Sequence, residues 1–562
     1  MYHLTVLYMK MKSWVRLFAN KSVLSFLVVA LSYLSKFVIY RYLAEMDLGL
    51  DALQTIGAYA VIVAASIVLG SAVWLFRHSV SHIVLMVVLD LWMIANVLYF
   101  KANATYLNWQ VILFADQLRG FESSILAYLD WKLFFFPFIT IVTGIYLVLF
   151  PVIRESWRSV FMPLGITAGI VVALCVCGEL LPRIGQQKRF DNADSWSIND
   201  DVNSFVKTHG PLGHIAYVLY EAVRDGVVKI RSVMPLTQEE ETLLSQICTP
   251  ATPPAAPQGH LVFILVESFE SWALDACDQK GREVMPELNA YIRRHPVLLC
   301  KNIVSQQKYG RSGDGQLITQ TGLLPLRTGV TCMSHGDNVY PNFAHFYPSS
   351  IILNPYRGVW NQHVTTYSYG YKRLREPDPL RHHVTDSLIF IWTRAALETA
   401  EEPTCALAIT IDTHAPFKCA HATHIELPEK YTKTEANYLQ CAHYLDRQMG
   451  RFLAWADTAA VMANSTIVIT ADHNHFPVKN GQGRCPLIIS GHAIDTTIVV
   501  PRAYQMDIFP TVCAAIGQAD YAWRGVGINL LAPTHQRIVS PRQAQELSDK
   551  IIRNNYFFDI FL

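Results

Sequence analysis

One stretch of this 562-residue chain demands a chemical explanation: Lys308-Tyr309-Gly310-Arg311-Ser312-Gly313-Asp314-Gly315-Gln316 places three glycines around one serine hydroxyl, and no apolar period runs through it. Glycine permits a tight or left-handed backbone, which lets a serine oxygen stand clear of its own chain and lets a substrate approach the main-chain amides. Ser312 is then a nucleophile and Arg311 a cation beside an anionic substrate; the plain alternative is a surface turn. Partners for the hydroxyl lie far away in sequence. Glu267, Asp472 and His473 offer two carboxylates and an imidazole, a set suited to a divalent cation such as Zn2+, Mn2+ or Mg2+. With Ser312 completing that shell, coordination lowers the hydroxyl pKa and makes an alkoxide available at neutral pH. Arg311 and the amides of the glycine turn would aid a pentavalent phosphoryl transition state.

Such residues work only if an ordered framework holds them together. Leu261-Val262-Phe263-Ile264-Leu265-Val266 is a continuous run of apolar β-formers, as expected for a parallel strand buried on both faces, and it ends in Glu267-Ser268-Phe269-Glu270. Similar runs at 406–411 and 466–470 end in Asp412-Thr413-His414 and Ala471-Asp472-His473. Helical stretches such as 435–455 separate them, so the pattern predicts an α/β domain with helices covering a mostly parallel central sheet. Ligands collect at the carboxyl ends of strands in such sheets, and all three polar clusters fall there. His475 and His492 follow the later strands at 466–470 and 486–490 and are further candidates. His382, His383, His421, His424 and His443 read as surface or cap residues.

Hydrophobic residues make up 51% of the chain and charged residues 16%, and the mean hydropathy is +0.22, a balance that implies membrane segments. Residues 1–182 carry most of the excess, with five runs near 22–42, 53–76, 80–100, 133–153 and 161–181, each near the roughly 20 helical residues that cross about 30 Å of hydrocarbon. Lys10, Lys12, Arg16 and Lys21 precede the first run and an acidic loop at 45–51 follows it, so the amino terminus is expected in the cytoplasm and everything after the fifth run outside it, in a cytoplasmic (inner) membrane. The first run is too long for a cleaved signal peptide. Asp90 lies inside an apolar run, where an ionisable residue is a functional hypothesis by default; Trp92, Trp109 and Trp131 are expected at the interface. Residues 183–258 read as a linker with an amphipathic helix over 212–233 and a proline-rich tether at 250–257; residues 259–562 form the extracytoplasmic domain. Net charge is +1 with no basic stripe, so nucleic acid is excluded as a partner. Of eleven cysteines, Cys175 and Cys177 fall in the fifth run and nine lie outside the membrane, where disulfides would be permitted.

The segments Val266-Glu267-Ser268-Phe269, Gly310-Arg311-Ser312-Gly313-Asp314, Asp412-Thr413-His414-Ala415-Pro416-Phe417 and Thr470-Ala471-Asp472-His473, behind five spans, together resemble the lipoteichoic acid synthase family. These are membrane-bound transferases of phosphoglycerol or phosphoethanolamine within the alkaline phosphatase and sulfatase superfamily. The resemblance implies that Glu267, Ser312, Asp472 and His473 are metal ligands. Ser312 stands where the family usually has a threonine nucleophile, and His414 binds phosphate or assists the leaving group. It also implies a phospholipid donor and a glycan, lipid or polymer acceptor. Val359-Trp360-Asn361-Gln362 resembles the family's head-group element, with Gln362 in place of an arginine and Asn354-Pro355 near where a His-Gly is expected. Trp360, Asn361 and Gln362, with His475 and Arg484, are therefore the substrate-binding candidates. Sulfatases carry a Pro and an Arg downstream of their modified residue where this chain has Asp314 and Gln316, so a phospho-Ser312 route is preferred to formylglycine chemistry. A phosphodiesterase or sulfatase-type hydrolase, and a catalytically silent lipid-binding scaffold that keeps the fold, stay open as alternatives. Tyr504–Val512 resembles the family's Asp-Ile-x-Pro-Thr element and is expected to cap the sheet.

Overall fold

A computed structural model of the chain describes residues 21–47, 50–75, 79–103, 106–107, 112, 128–150, 168–170, 173, 200–227, 234–248, 257–327, 329–378, 384–419, 421, 424–476, 483–534 and 536–561. The chain divides into two compact units, one formed mainly by residues 1–109, 125–195 and 199–225 and the other mainly by 226–562.

In the first unit, apolar sequences form α1 (Lys21–Leu43), α2 (Ala52–Leu75), α3 (Ser79–Asn103) and α4 (Phe135–Leu149), with a proline only in the first turn of α4, where Pro137 loses no intrahelical bond. Among the described residues these supply the four helices long and apolar enough to cross a bilayer. Of the fifth expected span, 161–181, only 168–170 and 173 are among the described residues; Trp109, Cys175 and Cys177 lie outside them. Asp90 does not face lipid: its carboxylate takes a 2.6 Å bond from Lys36 Nζ, and Thr140 Oγ1 bonds to both groups. The pair ties α1, α3 and α4 together with side-chain exposures of 0% and 6%, so the charge that the sequence flags is neutralised inside the bundle. Trp131 is exposed as an interface residue would be, whereas Trp92 packs against the His214 ring at 5.3 Å.

The amphipathic helix of the linker is α5 (Asp200–Val227). It begins earlier than its apolar period suggests and breaks at Gly210-Pro211, where Gly210 adopts φ 65°. The sequence assigns this helix to the linker, but in the structure its residues belong to the first unit. Arg41 at the end of α1 donates to Lys207 O at 2.6 Å, and His214 Nε2 bonds Leu107 O at 2.7 Å.

The second unit contains one mixed sheet. Its strands are β1 (Leu261–Val266), β2 (Leu298–Val304), β3 (Ser349–Leu353), β4 (Arg373–Arg375), β5 (Thr404–Ile409), β6 (Thr466–Ala471), β7 (Cys485–Ser490), β8 (Ile498–Val499) and β9 (Ala503–Tyr504), in the order β4-β3-β5-β1-β6-β7-β2-β8 with β9 beside β2. Pairings are parallel except β6–β7 and β2–β7. β1, β6 and β7 are buried along their whole length; β1, parallel to both neighbours, is the unbroken apolar run expected of such a strand. Around the sheet lie α6 (Arg311–Thr321), α7 (Gln362–Ser368), α8 (Asp386–Glu398), α9 (Lys433–Ala456) and α10 (Ile508–Ala515). α9 starts at a reciprocal cap: Thr432 Oγ1 accepts from Glu435 N, and Glu435 returns the bond to Thr432 N. All nine described cysteines are free thiols.

Removing one member of the intramembrane pair strands the other without a partner. Asp90→Ala is expected to lower the thermal midpoint in detergent by the equivalent of about 3–5 kcal/mol. Lys36→Met combined with Asp90→Leu, which leaves no charge behind, should recover most of that loss.

Candidate metal centre and phosphoryl site

The register of the central sheet builds the site. β1 pairs in parallel with β6 so that Val266 stands opposite Ala471; the next residues out, Glu267 and Asp472, therefore emerge side by side from adjacent strands, which lie about 4.8 Å apart. β5 flanks β1 on the other side, with Leu265 opposite Ile409, which delivers Thr410 to His414 to the same end. Glu267 N donates to Thr410 Oγ1 (3.2 Å), and Ser268 N and His473 N both donate to Asp472 Oδ1 (2.8 and 2.7 Å). His473 Nδ1–H donates to Asn474 O at 3.1 Å, since a carbonyl can only accept, and in the neutral ring this leaves the Nε2 lone pair facing the carboxylates.

Ser312 arrives from the first turn of α6. Its Oγ lies 3.2 Å from Glu267 Oε2 and 3.3 Å from His473 Nε2, and His473 Nε2 is 3.7 Å from Glu267 and 3.6 Å from Asp472. Donor atoms of Glu267, Asp472 and His473 all lie within 4.8 Å of one another. Burial raises the pKa of both carboxyls and lowers that of His473.

Whether these residues suit a cation can be tested on one atom. Asp472 Oδ2 is buried with no hydrogen-bond partner among the described residues, a state that costs about 1–3 kcal/mol or more for a charged group. Two adjacent buried carboxylates are costly unless paired with positive charge, and the oxygen, nitrogen and hydroxyl donors here match a divalent ion of the Zn2+ or Mn2+ kind. The site fits such a metal.

The glycine turn differs from its sequence reading. None of Gly310, Gly313 and Gly315 uses a positive φ; Arg311 does, at 43°. The glycines serve close packing instead. A Cβ on Gly315 would lie 2.0 Å from Asp472 O, and one on Gly310 would lie 2.2 Å from Asp314 Oδ1. Asp314 in turn accepts from Lys308 N and Gly310 N, both at 2.9 Å, which folds the turn onto the start of α6. The amino terminus of α6 lies at the serine, where the helix dipole favours an anion; Gly313 N and Asp314 N are bonded to Gly310 O at 2.8 and 3.3 Å.

Left-handed backbone gathers around this point: besides Arg311, Ser268 (49°), Trp360 (55°), Asn361 (57°) and Phe417 (60°) all have positive φ. Each such residue costs on the order of 1–3 kcal/mol and persists where the surroundings over-determine it. Trp360 packs beside Gly313. Asn361 and Gln362, expected to face a head group, spend their amides elsewhere, on Cys332 O (2.9 Å) and Thr366 Oγ1 (3.2 Å) respectively. His414 Nδ1 bonds Ala415 O at 2.6 Å, and burial lowers its pKa. His475 packs edge-on to Phe417 at 4.8 Å, and burial pushes it down to about 3, so it is neutral. Arg311, itself buried, lowers both rings further. His492 is exposed, and His382 and His383 lie outside the described residues.

Two residues that the sequence did not single out brace the site. Glu270 is fully buried; its Oε1 accepts from His475 N and Phe476 N (2.9 and 2.8 Å) and its Oε2 from Gly483 N (2.8 Å). It thus holds the segment bearing His475, and Arg484 closes it through Ser271 N to Arg484 O at 2.8 Å. Burial lifts the Glu270 carboxyl to about 7. Gln505, from the element expected to cap the sheet, donates to Asp472 O at 2.6 Å. The only sequence hint for Glu270 was its place in the polar cluster after β1, and for Gln505 its place in the Tyr504–Val512 element.

Residues 9–230 match the family described as lipoteichoic acid synthase N-terminal domain, and residues 260–518 match the sulfatase family. The chain is 22% identical over 379 residues to lipoteichoic acid synthase 1 of Bacillus subtilis (strain 168), covering 60% of this chain and 59% of that protein. It is 22% identical over 496 residues to the lipoteichoic acid synthase of Staphylococcus saprophyticus, covering 79% and 74%. Among solved structures, the integral membrane protein lipooligosaccharide phosphoethanolamine transferase A from Neisseria meningitidis shares the fold at a TM-score of 0.54 and 13% identity, covering 89% of this chain and 95% of that one.

Two predictions follow from the geometry. Gly315→Ala drives a methyl group into Asp472 O and should cost about 1–3 kcal/mol of stability and about tenfold or more in metal affinity, read by thermal melting and by metal titration. Because burial holds Glu267 and Asp472 protonated to higher pH than usual, a metal must displace their protons. Its affinity for the stripped protein should therefore fall as pH is lowered, with proton release visible by calorimetry in buffers of different ionisation heat; a pH-independent affinity would contradict this.

Proposed function

We propose that the chain, whose residues 9–230 and 260–518 match the lipoteichoic acid synthase N-terminal domain and sulfatase families, is a membrane-anchored, metal-dependent phosphotransferase of the alkaline phosphatase superfamily. It moves a phospho-head group, phosphoglycerol or phosphoethanolamine, from a membrane phospholipid through phospho-Ser312 to a hydroxyl of a glycan, lipid or polymer. The observation that carries this is the half-buried Ser312 Oγ set between Glu267 and His473 at the tip of a buried strand pair, beside an unpartnered Asp472 oxygen. Lys and Arg before the first span support a cytoplasmic amino terminus and an extracytoplasmic catalytic domain.

Glu267, Asp472, His473 and Ser312 would hold the metal, which when bound supplies Lewis acidity to the serine hydroxyl and to the phosphoryl oxygens. In the first half-reaction Ser312 Oγ loses its proton and bonds to phosphorus while the bond from phosphorus to the diacylglycerol oxygen breaks, and that oxygen leaves with a proton. In the second, the acceptor hydroxyl gives up its proton, its oxygen bonds to phosphorus, and Ser312 Oγ departs and is reprotonated. His414, with Nδ1 committed to Ala415 O, acts through Nε2 on the leaving group, while His475, held neutral by burial, faces the substrate. Arg311 and the Ser312 amide at the start of α6 steady the phosphoryl charge. Trp360 offers its ring to the donor head group, and Arg484 faces the acceptor.

The full chain, incubated in membranes with phosphatidylglycerol or phosphatidylethanolamine and digested, should show the head-group mass on the peptide containing Ser312. Ser312→Thr should keep the adduct, and Ser312→Ala should lose it together with turnover, by several orders of magnitude. An adduct that persists in Ser312→Ala contradicts the proposal.

A further inference from the structure

α5 carries an apolar stripe that is left exposed among the described residues. Ala216, Leu219 and Val223 fall at i, i+3 and i+7, one face of a helix; all three are exposed, Leu219 at 60% and Val223 at 66%. The opposite side is held, with Val218 and His214 buried, and the stripe's own face is covered only at its start, where Leu212 and the flanking Ile215 pack on the core of the helical bundle.

The level at which α5 docks is fixed by residues of interfacial character. Arg41, in the last turn of α1, bonds Lys207 O and Asp47, and its guanidinium stacks on Tyr59 at 5.2 Å. Trp92 of α3 and Tyr106 just beyond it surround His214, at 5.3 and 5.9 Å. Leu107, whose carbonyl receives the His214 bond, folds back so that its N–H donates to Asn96 Oδ1 at 3.2 Å. A buried arginine, a carboxylate and two tyrosines gathered where α1 ends and α2 begins mark the boundary between headgroups and acyl chains. Gly210-Pro211 breaks the helix at that level, where a Cβ would meet Ile62 at 2.9 Å, and lets the following turns run alongside the bundle.

We infer that α5 lies in the bilayer's headgroup–acyl boundary at the end of the bundle where α1 and α3 finish, with the Ala216–Leu219–Val223 stripe inserted among the acyl chains. The helices that α5 docks on expose apolar side chains of the same kind: Leu31 of α1, Leu91 of α3 and Ile141 of α4 are exposed at 59%, 65% and 54%. A surface helix with one apolar face, docked at the rim of a membrane bundle, gains most by burying that face in the same lipid.

The full chain carrying the photo-crosslinking Leu219→p-benzoylphenylalanine, and separately the same change at Val223, tests this in phosphatidylglycerol–phosphatidylethanolamine nanodiscs. Both positions should form phospholipid adducts on the peptide spanning α5, as Ile141→p-benzoylphenylalanine does, and about tenfold more than the same change at the exposed Gln238 of the other unit. Two positions guard against one variant failing to fold, and metal binding at the Ser312 site checks that each variant is intact without depending on transferase turnover. An adduct of doubled protein mass would make the stripe a contact between two copies, and lipid adducts no more frequent than at Gln238 would place it in water. Either result overturns the inference.

Discussion

The second unit depends on two carboxylates made neighbours by strand register. Once β1 and β6 pair with Val266 opposite Ala471, Glu267 and Asp472 must emerge together from a dry sheet, and like charges at that spacing resist joint ionisation. Everything nearby answers that constraint. Ser268 and His473 donate their amides to Asp472, Arg311 is buried beside the cluster, Gln505 holds the Asp472 carbonyl, and one carboxylate oxygen is left for a ligand that carries positive charge. An arrangement so costly without a cation is one that a cation stabilises, and the coupling of metal to fold follows from it.

The same principle recurs in the first unit with a different answer. There Asp90 is neutralised from within by Lys36 and Thr140, so the charge binds helices rather than a ligand. At the rim, Arg41 is spent on Asp47 and a main-chain carbonyl. A buried charge thus marks either a joint or a site, and the satisfaction of its last lone pair tells them apart.

Much of this was legible in the sequence, and the misses share a cause. The three strand tips were visible because buried parallel strands read as unbroken apolar runs, and polar residues that end such runs have nowhere to go but the carboxyl edge. The grouping of Glu267, Ser312, Asp472 and His473 followed from that edge and from the resemblance to the lipoteichoic acid synthase family. The purpose of the glycines was not legible: Gly315 makes room for Asp472 O and Gly313 for Cys332 and Trp360, contacts between segments distant in the chain. Glu270 and Gln505 were missed because they act on main-chain groups, which leave no mark on residue type. The true start of α5 was hidden because its first turns are polar, and its docking there relies on the Arg41 bond to Lys207 O and on the lone apolar Val206 in the bundle core.

The most direct test of the central claim is anomalous diffraction from crystals of the full chain grown with Zn2+ or Mn2+ and recorded at the metal's absorption edge. The account predicts one strong peak among Glu267, Asp472, His473 and Ser312 Oγ, about 2.0–2.3 Å from the donor atoms, with Asp472 Oδ2 turned to it. No peak there, with Asp472 Oδ2 instead satisfied by a protein hydrogen bond, would contradict it.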